Sequence, residues 1–501
     1  MKNIKYFRYA FYLLIGLLVF CKALSFLDPD FGWHLSTGNL ILKSGFPKTD
    51  PFSYTMPSFP FIEHEWLVDV IFAKLYPITG LPGVSVLSSI LFLSAVLVSV
   101  SKSKKFKTTL FIVGISSMVP FFSVSPKIFS WLLISFFIFA VFNETFWKRF
   151  WLLTPFIIIL WVNLHGSFPE ALVILLVILI CKSFREKHIW LKGLLVTFLS
   201  FLATLVNPYG LRLWQIVWLT ISDPLQRSRI AEWRPIYLNP VGFSFLAGFI
   251  FAISVILISR YWRRFKAEEI VLNLIFFTQA ILAVRNVPLW ILVDLPMTTV
   301  AIDYFYEEFG VSKAAKKRLL VLSKGVLMFV GAVLVFQIVG FAYLYSNFSQ
   351  ESSYPEGAVL YLEKNLPKGQ LFSEYNWGGY LIWKLPEKKV FIYGMMPVWK
   401  WQSNISGESD NAMNEDFDLL AGKTSYKTIF NKYKIDTALL STPEDPEPIV
   451  KFTVEVMSFF GVVGGPGSKN PFYEVLVKDG WRQVFKNNSS VILESPYPNN
   501  P

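Results

Sequence analysis

Two short runs, Asp28-Pro29-Asp30-Phe31-Gly32-Trp33-His34 and Glu63-His64-Glu65-Trp66, concentrate four carboxylates and two of the chain's four histidines between the first two hydrophobic segments. Asp28 and Asp30 form a D-x-D pair. At that spacing two carboxylates approach one oxygen-preferring cation, or one acts as general base while the other orients it; Asp28 equally suits the cap of a helix beginning near Phe31. Glu65 and Asp69 stand one turn apart and share a face if residues 63–76 are helical, with His64 alongside. Trp66, Phe72 and Tyr76 on the same segment fit an amphipathic helix lying on a membrane. No cofactor is required by the sequence. If a divalent cation such as Mg²⁺ or Mn²⁺ binds, Asp28 and Glu65 are the expected ligands, with His34 or His64 in support.

The elements that must hold these residues belong to a membrane protein. Of 501 residues, 53% are hydrophobic and only 16% charged, against about a quarter charged in soluble domains; the mean hydropathy is +0.47. The net charge of +12 comes from short Lys/Arg clusters between apolar runs, not from one basic, aromatic-laced face, so nucleic acid is not the expected partner. Cys21 and Cys181 lie in apolar runs and supply no disulfide framework or metal signature. Lys2, Lys5 and Arg8 before the run from Tyr9 to Leu27 imitate a signal peptide. That run is long enough to span, lacks a small-x-small cleavage site, and is read as a retained first helix.

Apolar runs of spanning length predict about eleven crossings, near 9–27, 83–100, 108–124, 128–146, 150–164, 168–182, 193–207, 240–259, 269–284, 287–303 and 320–345. With the N-terminus cytoplasmic, alternate loops collect the cations: Lys102, Lys104, Lys105 and Lys107; Lys148 and Arg149; Lys182, Arg185, Lys187 and Lys192; Arg260, Arg263, Arg264 and Lys266; Lys313, Lys316, Lys317 and Arg318. This positive-inside pattern predicts a plasma-membrane protein with a membrane domain over 1–345, an external loop over 28–82 and an extracytoplasmic α/β domain over 346–501. The same topology places Asp28-Pro29-Asp30, His64-Glu65-Trp66, Asn163-Leu164-His165-Gly166, Asn207-Pro208-Tyr209-Gly210, Ala231-Glu232-Trp233-Arg234-Pro235 and Arg285-Asn286 on the external side. Polar groups at a membrane boundary are costly unless paired or hydrated, so their convergence on one face points to an extracytoplasmic site. Arg285 offers a planar fork to a phosphate, although an arginine snorkelling to the interface has the same position.

The ordered motifs resemble the GT-C superfamily of integral-membrane glycosyltransferases. More closely, the chain resembles a bacterial membrane-protein group whose run is matched by Asp28-Pro29-Asp30, Trp33-His34-Leu35, Thr37-Gly38, Thr49-Asp50-Pro51-Phe52-Ser53 and His64-Glu65-Trp66-Leu67. Similarity continues through Asn163-Leu164-His165-Gly166, Asn207-Pro208-Tyr209-Gly210-Leu211-Arg212 and Glu232-Trp233-Arg234-Pro235 to Asn376-Trp377-Gly378-Gly379-Tyr380-Leu381-Ile382-Trp383, most of the chain. The resemblance implies sugar transfer from a polyprenyl-phosphate-linked donor to an envelope or secreted acceptor. It makes Asp30 the first choice for the catalytic base and Asp28 the second. His34, His64, Glu65, His165, Glu232 and Arg285 are then candidates for substrate binding; topology and charge, not a matched motif, make Arg285, with His165 near the same membrane face, the candidate for the lipid phosphate. The chain departs from the group at Tyr393-Gly394-Met395, where an Asp-Gly-Arg step is usual, so no role of that aspartate and arginine carries over.

In the tail, 357–365 and 426–434 have helical patterns, while 370–372, 390–393 and 437–440 read as strands, and 483–493 as a hairpin. Asn376 to Tyr380 is loosely similar to the acceptor motif of oligosaccharyltransferases but lacks its aspartate; a Gly-Gly turn packed on aromatics is the simpler reading. Two other classes remain open at this stage: a lipid or ion transporter, which would favour mid-membrane charges and internal repeats, and a non-catalytic envelope scaffold, in which Asp28 and Asp30 are dispensable.

Overall fold

Long runs of Leu, Ile, Val and Phe can satisfy their backbone groups away from water only as helices, and helices make up the body of the protein. The computed structural model describes residues 2–25, 27–103, 106–186, 190–238, 245–309, 312–347, 354–442 and 471–496. The elements that position the polar motifs are α1 (Lys2–Ser25), α2 (Phe31–Ser44), α3 (Trp66–Ser99), α4 (Lys127–Phe142), α5 (Thr154–Leu164), α6 (Ala267–Leu282) and α7 (Val287–Phe309). Leu13, Leu17, Ile90, Phe156, Phe198, Trp218 and Met328 are exposed, an apolar surface suited to lipid rather than water.

Among the described residues, three helical stretches have the length and apolarity to cross a bilayer: Trp66–Ser99, Glu144–Leu164 and Val284–Phe309. Shorter apolar helices run over Tyr12–Ser25, Lys107–Phe121, Lys127–Phe142, Trp190–Ala203 and Lys324–Gln337. Against the expected count of about eleven, the described residues hold three full-length stretches and five shorter apolar helices. Asn143 shows one reason for the difference. It leaves helical geometry at φ −119° and ψ 92°, and its side chain accepts from the Phe146 amide, so it starts a new helix where the apolar run reads as continuous. Short 3₁₀ turns at Val119–Phe121 and Trp151–Leu153 fall within the stretches Lys107–Phe121 and Glu144–Leu164.

The helix expected over 63–76 is present with a later start. It begins at Trp66 and runs on into the second apolar segment as the first half of α3, the halves meeting at Gly80 between Pro77 and Pro82.

The polar tail contains a four-stranded sheet. Its strands β1 (Gln370–Ser373), β2 (Ile435–Ser441), β3 (Arg482–Lys486) and β4 (Ser490–Glu494) take the order β1-β2-β4-β3. β1 and β2 are parallel, and β3 and β4 form the expected antiparallel hairpin. Helices Glu356–Lys364 and Tyr426–Tyr433 also lie where their periodicity places them. Residues 390–393 differ from expectation: they join none of these strands and instead pair with the first loop. The Val390 amide donates to the Phe52 carbonyl at 3.0 Å, the Tyr54 amide donates to the Val390 carbonyl at 3.1 Å, and the Thr55 hydroxyl donates to the Phe391 carbonyl at 2.6 Å. A continuous apolar run such as Val390 to Tyr393 signals a buried extended segment, but not which chain segment supplies the ladder.

Loop and tail consequently share a core. Trp33, Met56 and Phe61 are buried with Phe372, Leu381, Tyr393 and Trp399. α2 packs on helix Gly378–Lys384 at backbone distance: a Cβ on Gly32 would stand 2.2 Å from the Gly379 carbonyl oxygen, and one on Gly379 would stand 2.3 Å from that of Pro29. The Gly378-Gly379 pair thus serves close packing and opens a helix rather than a free turn.

Candidate functional site

The acidic pair sits where α1 gives way to α2. Asp28 does not cap α2 through its side chain; the first turn is closed by the Phe31 amide donating to the Asp28 carbonyl at 3.0 Å. Its carboxylate Oδ2 accepts from Ser123 at 2.6 Å and pairs with Lys127 Nζ at 3.3 Å, and Oδ1 accepts from the Asp30 amide at 3.2 Å. Burial pulls the Asp28 carboxyl up, but Lys127, the Ser123 hydroxyl and the Asp30 amide outweigh it and hold the group below its ordinary range. Asp30 has the opposite character. Burial, then the neighbouring Asp28 charge, raise it to about 6, against which the Trp33 indole donates to Oδ1 at 2.9 Å. One acid is fixed as an anion and the other is poised near neutrality, the division of labour expected when one carboxylate orients and the other moves a proton.

Beside this pair lies a buried cluster of histidines and carboxylates. His34, one turn into α2, places Nδ1 2.7 Å from Asp69 Oδ1 and Nε2 3.3 Å from Glu65 Oε2. His165, at the C-terminal end of α5, places Nε2 3.1 Å from Glu65 Oε1. Its Nδ1 accepts from the Ser167 amide at 3.2 Å and lies 2.9 Å from the Ser130 hydroxyl. His64 Nε2 is 3.6 Å from Glu65 Oε1. Glu63 is fully buried; one of its oxygens accepts from the Glu65 amide at 2.8 Å. Burial raises Glu65 to about 8 and lowers His64 to about 3, and it keeps His34 below the ordinary imidazole range despite the facing Glu65. Trp66 Nε1 donates to Asn163 Oδ1 at 2.8 Å, which ties the start of α3 to the end of α5 and so brings Glu65 to His165.

At the rim, Arg285 Nη1 pairs with Glu232 Oε1 at 3.2 Å and its guanidinium lies over the Trp233 ring, 4.1 Å from the centroid. Both partners are partly exposed, and the Arg285 charge lowers the proton affinity of His64 and His165 after burial has done so. The Glu232 charge in turn adds to the raising of Asp30. All eight residues selected from the sequence therefore fall in one neighbourhood of interacting groups. Asn207 does not join them: it accepts from the Tyr209 amide at 2.8 Å and donates to the Thr204 carbonyl at 2.8 Å, closing its own turn.

Sequence reasoning passed over Lys127, Ser123 and Ser130, and it gave Glu63 and Asp69 no ligand role. Lys127 and Ser123 flank an apolar run and carry no motif, so nothing local marks them; Glu63 is visible in hindsight as the first acid of Glu63-His64-Glu65. The expected cation pair, Asp28 with Glu65, is not the set the structure groups. Asp28 is already neutralised by Lys127, whereas donor atoms of His34, Glu63 and Glu65 lie within 4.8 Å of one another. These residues fit a divalent cation: Glu63 Oε2 is buried with no hydrogen-bond partner, and the donors mix imidazole nitrogen with carboxylate oxygen.

A helical body with stretches apolar and long enough to cross a membrane, an acidic loop after the first helix, and a polar α/β tail packed over that loop make up the fold. The archaeal oligosaccharyltransferase AglB from Archaeoglobus fulgidus, solved in complex with an inhibitory peptide and a dolichol-phosphate, is similar in structure, with a TM-score of 0.60 over 88% of this chain and 70% of that one, at 9% identity. At that identity the likeness speaks to fold. No family model matches the chain, and neither does any curated protein.

Proposed function

We propose that the protein is a membrane glycosyltransferase that moves a sugar from a polyprenyl-phosphate-linked donor to an acceptor on the extracytoplasmic face, with Asp30 as the base. The observation that carries this reading is Asp30 itself: a carboxylate with its affinity for protons raised to about 6, at the end of the first helix of a GT-C-like fold. In the proposed reaction the acceptor O–H or N–H gives its proton to Asp30 as its heavy atom attacks the anomeric carbon. The bond from that carbon to the phosphate oxygen breaks, and the electron pair leaves with the phosphate. Lys127 and Ser123 hold Asp28 as the anion that keeps Asp30 basic. Arg285, now paired with Glu232, is the proposed partner of the departing phosphate, whose charge matches the guanidinium fork. A dolichol-phosphate in the AglB complex supports a lipid-linked donor for this fold.

The test is sugar transfer from polyprenyl-phosphate donors by the full chain and by Asp30→Asn. General-base removal is expected to lower the rate by roughly 10²–10⁴-fold. Transfer by the folded variant at the parent rate would remove Asp30 from the mechanism.

A further inference from the structure

The cluster around Glu65 contains more acceptors than donors. At His165 the Ser167 amide donates to Nδ1, so Nε2 carries the proton and donates to Glu65 Oε1 across 3.1 Å. At His34, Nδ1 lies 2.7 Å from Asp69 Oδ1 and Nε2 faces Glu65 Oε2 across 3.3 Å, so with the proton held on Nδ1 by Asp69 the Nε2 lone pair is open to a cation. Glu63 adds a third acceptor, Oε2, buried and with no hydrogen-bond partner. Among the described residues the ion pairs of Glu65 and Asp69 are all to histidine, and Glu63 forms none. Carboxyls buried in this way stay protonated unless a positive charge lets them ionise, and a bound cation would supply one.

We infer that His34 Nε2, Glu63 and Glu65 form a binding site for one divalent transition-metal ion, built without either carboxylate of the Asp28-Asp30 pair. Asp69 holds the outer nitrogen of His34, as a carboxylate does behind many metal-bound imidazoles, and His165 is a positioning residue that orients Glu65. One nitrogen and two carboxylate donors favour Zn²⁺ or Mn²⁺ over Mg²⁺, which prefers an all-oxygen shell. The site follows from the donor arrangement alone and stands whether or not the protein transfers sugars.

The experiment uses the full chain in detergent, with a purification tag free of histidine, stripped by a chelator and titrated separately with Zn²⁺, Mn²⁺ and Mg²⁺. Metal content after gel filtration and the thermal unfolding midpoint are both read. Wild type is expected to retain about one Zn²⁺ or Mn²⁺ per chain and to melt at a higher temperature with it, Mg²⁺ giving the smaller shift. Glu63→Gln gives the sharper readout, because the sign of its effect reverses. In metal-free protein it removes a buried carboxyl that must take up a proton on folding, and raises the midpoint; with Zn²⁺ or Mn²⁺ present it weakens retention at least ~10-fold and abolishes the metal-dependent rise. Equal metal-dependent shifts in wild type and folded Glu63→Gln, or no retained metal in wild type, overturn the site. Neither result depends on transfer activity, so failure here is separable from failure of the glycosyltransferase reading.

Discussion

Gly394 lies directly over the Asp30 carboxylate: a Cβ at position 394 would stand 1.7 Å from Asp30 Oδ1. The tail therefore roofs the acidic loop at the one residue proposed to move a proton, and it does so in the Tyr393-Gly394-Met395 step that departs from the resembling group. Tyr393 occupies the aspartate position of that step and its hydroxyl donates to Asp50 Oδ1 at 2.9 Å, a bond from tail to loop.

Gly394→Ala must consequently push Asp30 from the Trp33 indole or lift the tail. A forced overpacking of this kind typically costs about 1–3 kcal/mol. Transfer is expected to fall at least ~10-fold, with a lower thermal midpoint. Gly407→Ala serves as a comparison for conformational strain alone: φ at that glycine is +84° and no atom lies within 4 Å of its built Cβ. Loss of activity at 394 but not at 407 is the pattern that supports a roof over the base.

Replacing the base should separate activity from stability. Asp30 is raised to about 6, so the folded state resists its ionisation at neutral pH and carries a cost that an unfolded carboxyl does not. Asp30→Asn keeps an oxygen for the Trp33 indole and removes the charge. The variant is expected to melt at a higher temperature than wild type at pH 7.5 while losing transfer. A lower midpoint would mean that the carboxylate contributes to folding through partners beyond Trp33.

The pH profile follows from the same shift. Transfer needs ionised Asp30, so the acidic limb of the rate should rise through about pH 6. Stability runs the other way: a raised carboxyl contributes most below its unfolded range near 4, and that contribution is lost as pH rises through about 6. Asp28 is the second-largest cause of the shift after burial, so Asp28→Asn should move the acidic limb to lower pH. An unmoved limb would show that another group titrates.

The extent to which the sequence foretold this arrangement differs from residue to residue. Asp28, Asp30, His34 and Glu65 were legible because a chain with so few ionisable groups exposes any cluster of them. The kink of α3 has its cause in Pro77, Gly80 and Pro82, where the prolines remove backbone donors and the glycine takes a positive φ of 63°. The pairing of residues 390–393 with Phe52 and Tyr54 spans more than three hundred positions, and no local period encodes a partner so distant. Lys127 was hidden for the same reason: its role comes from the start of α4 meeting Asp28, ninety-nine positions away, not from its neighbours in sequence. The grouping of His34, Glu63 and Glu65 came only from the packing of α2 against α3.

Arg285 offers the clearest separation of binding from chemistry. Its guanidinium is stacked on Trp233 and paired with Glu232, with the Arg285 side chain 30% and the Glu232 side chain 50% exposed, so the pair is open to exchange with an incoming anion. An exposed pair of this kind is worth at most about 1 kcal/mol, less than a bidentate phosphate contact can supply. Arg285→Lys keeps the charge but loses the planar fork and the stacking, and it should raise KM for the lipid-linked donor severalfold while changing kcat less. Glu232→Gln frees Arg285 from its carboxylate competitor and should lower that KM. It also removes a charge that raises Asp30, so its acidic limb should shift slightly to lower pH. A donor KM that rises in both variants would mean that Glu232 positions Arg285 rather than competing with the phosphate, and kinetics over a range of donor concentrations distinguish the two.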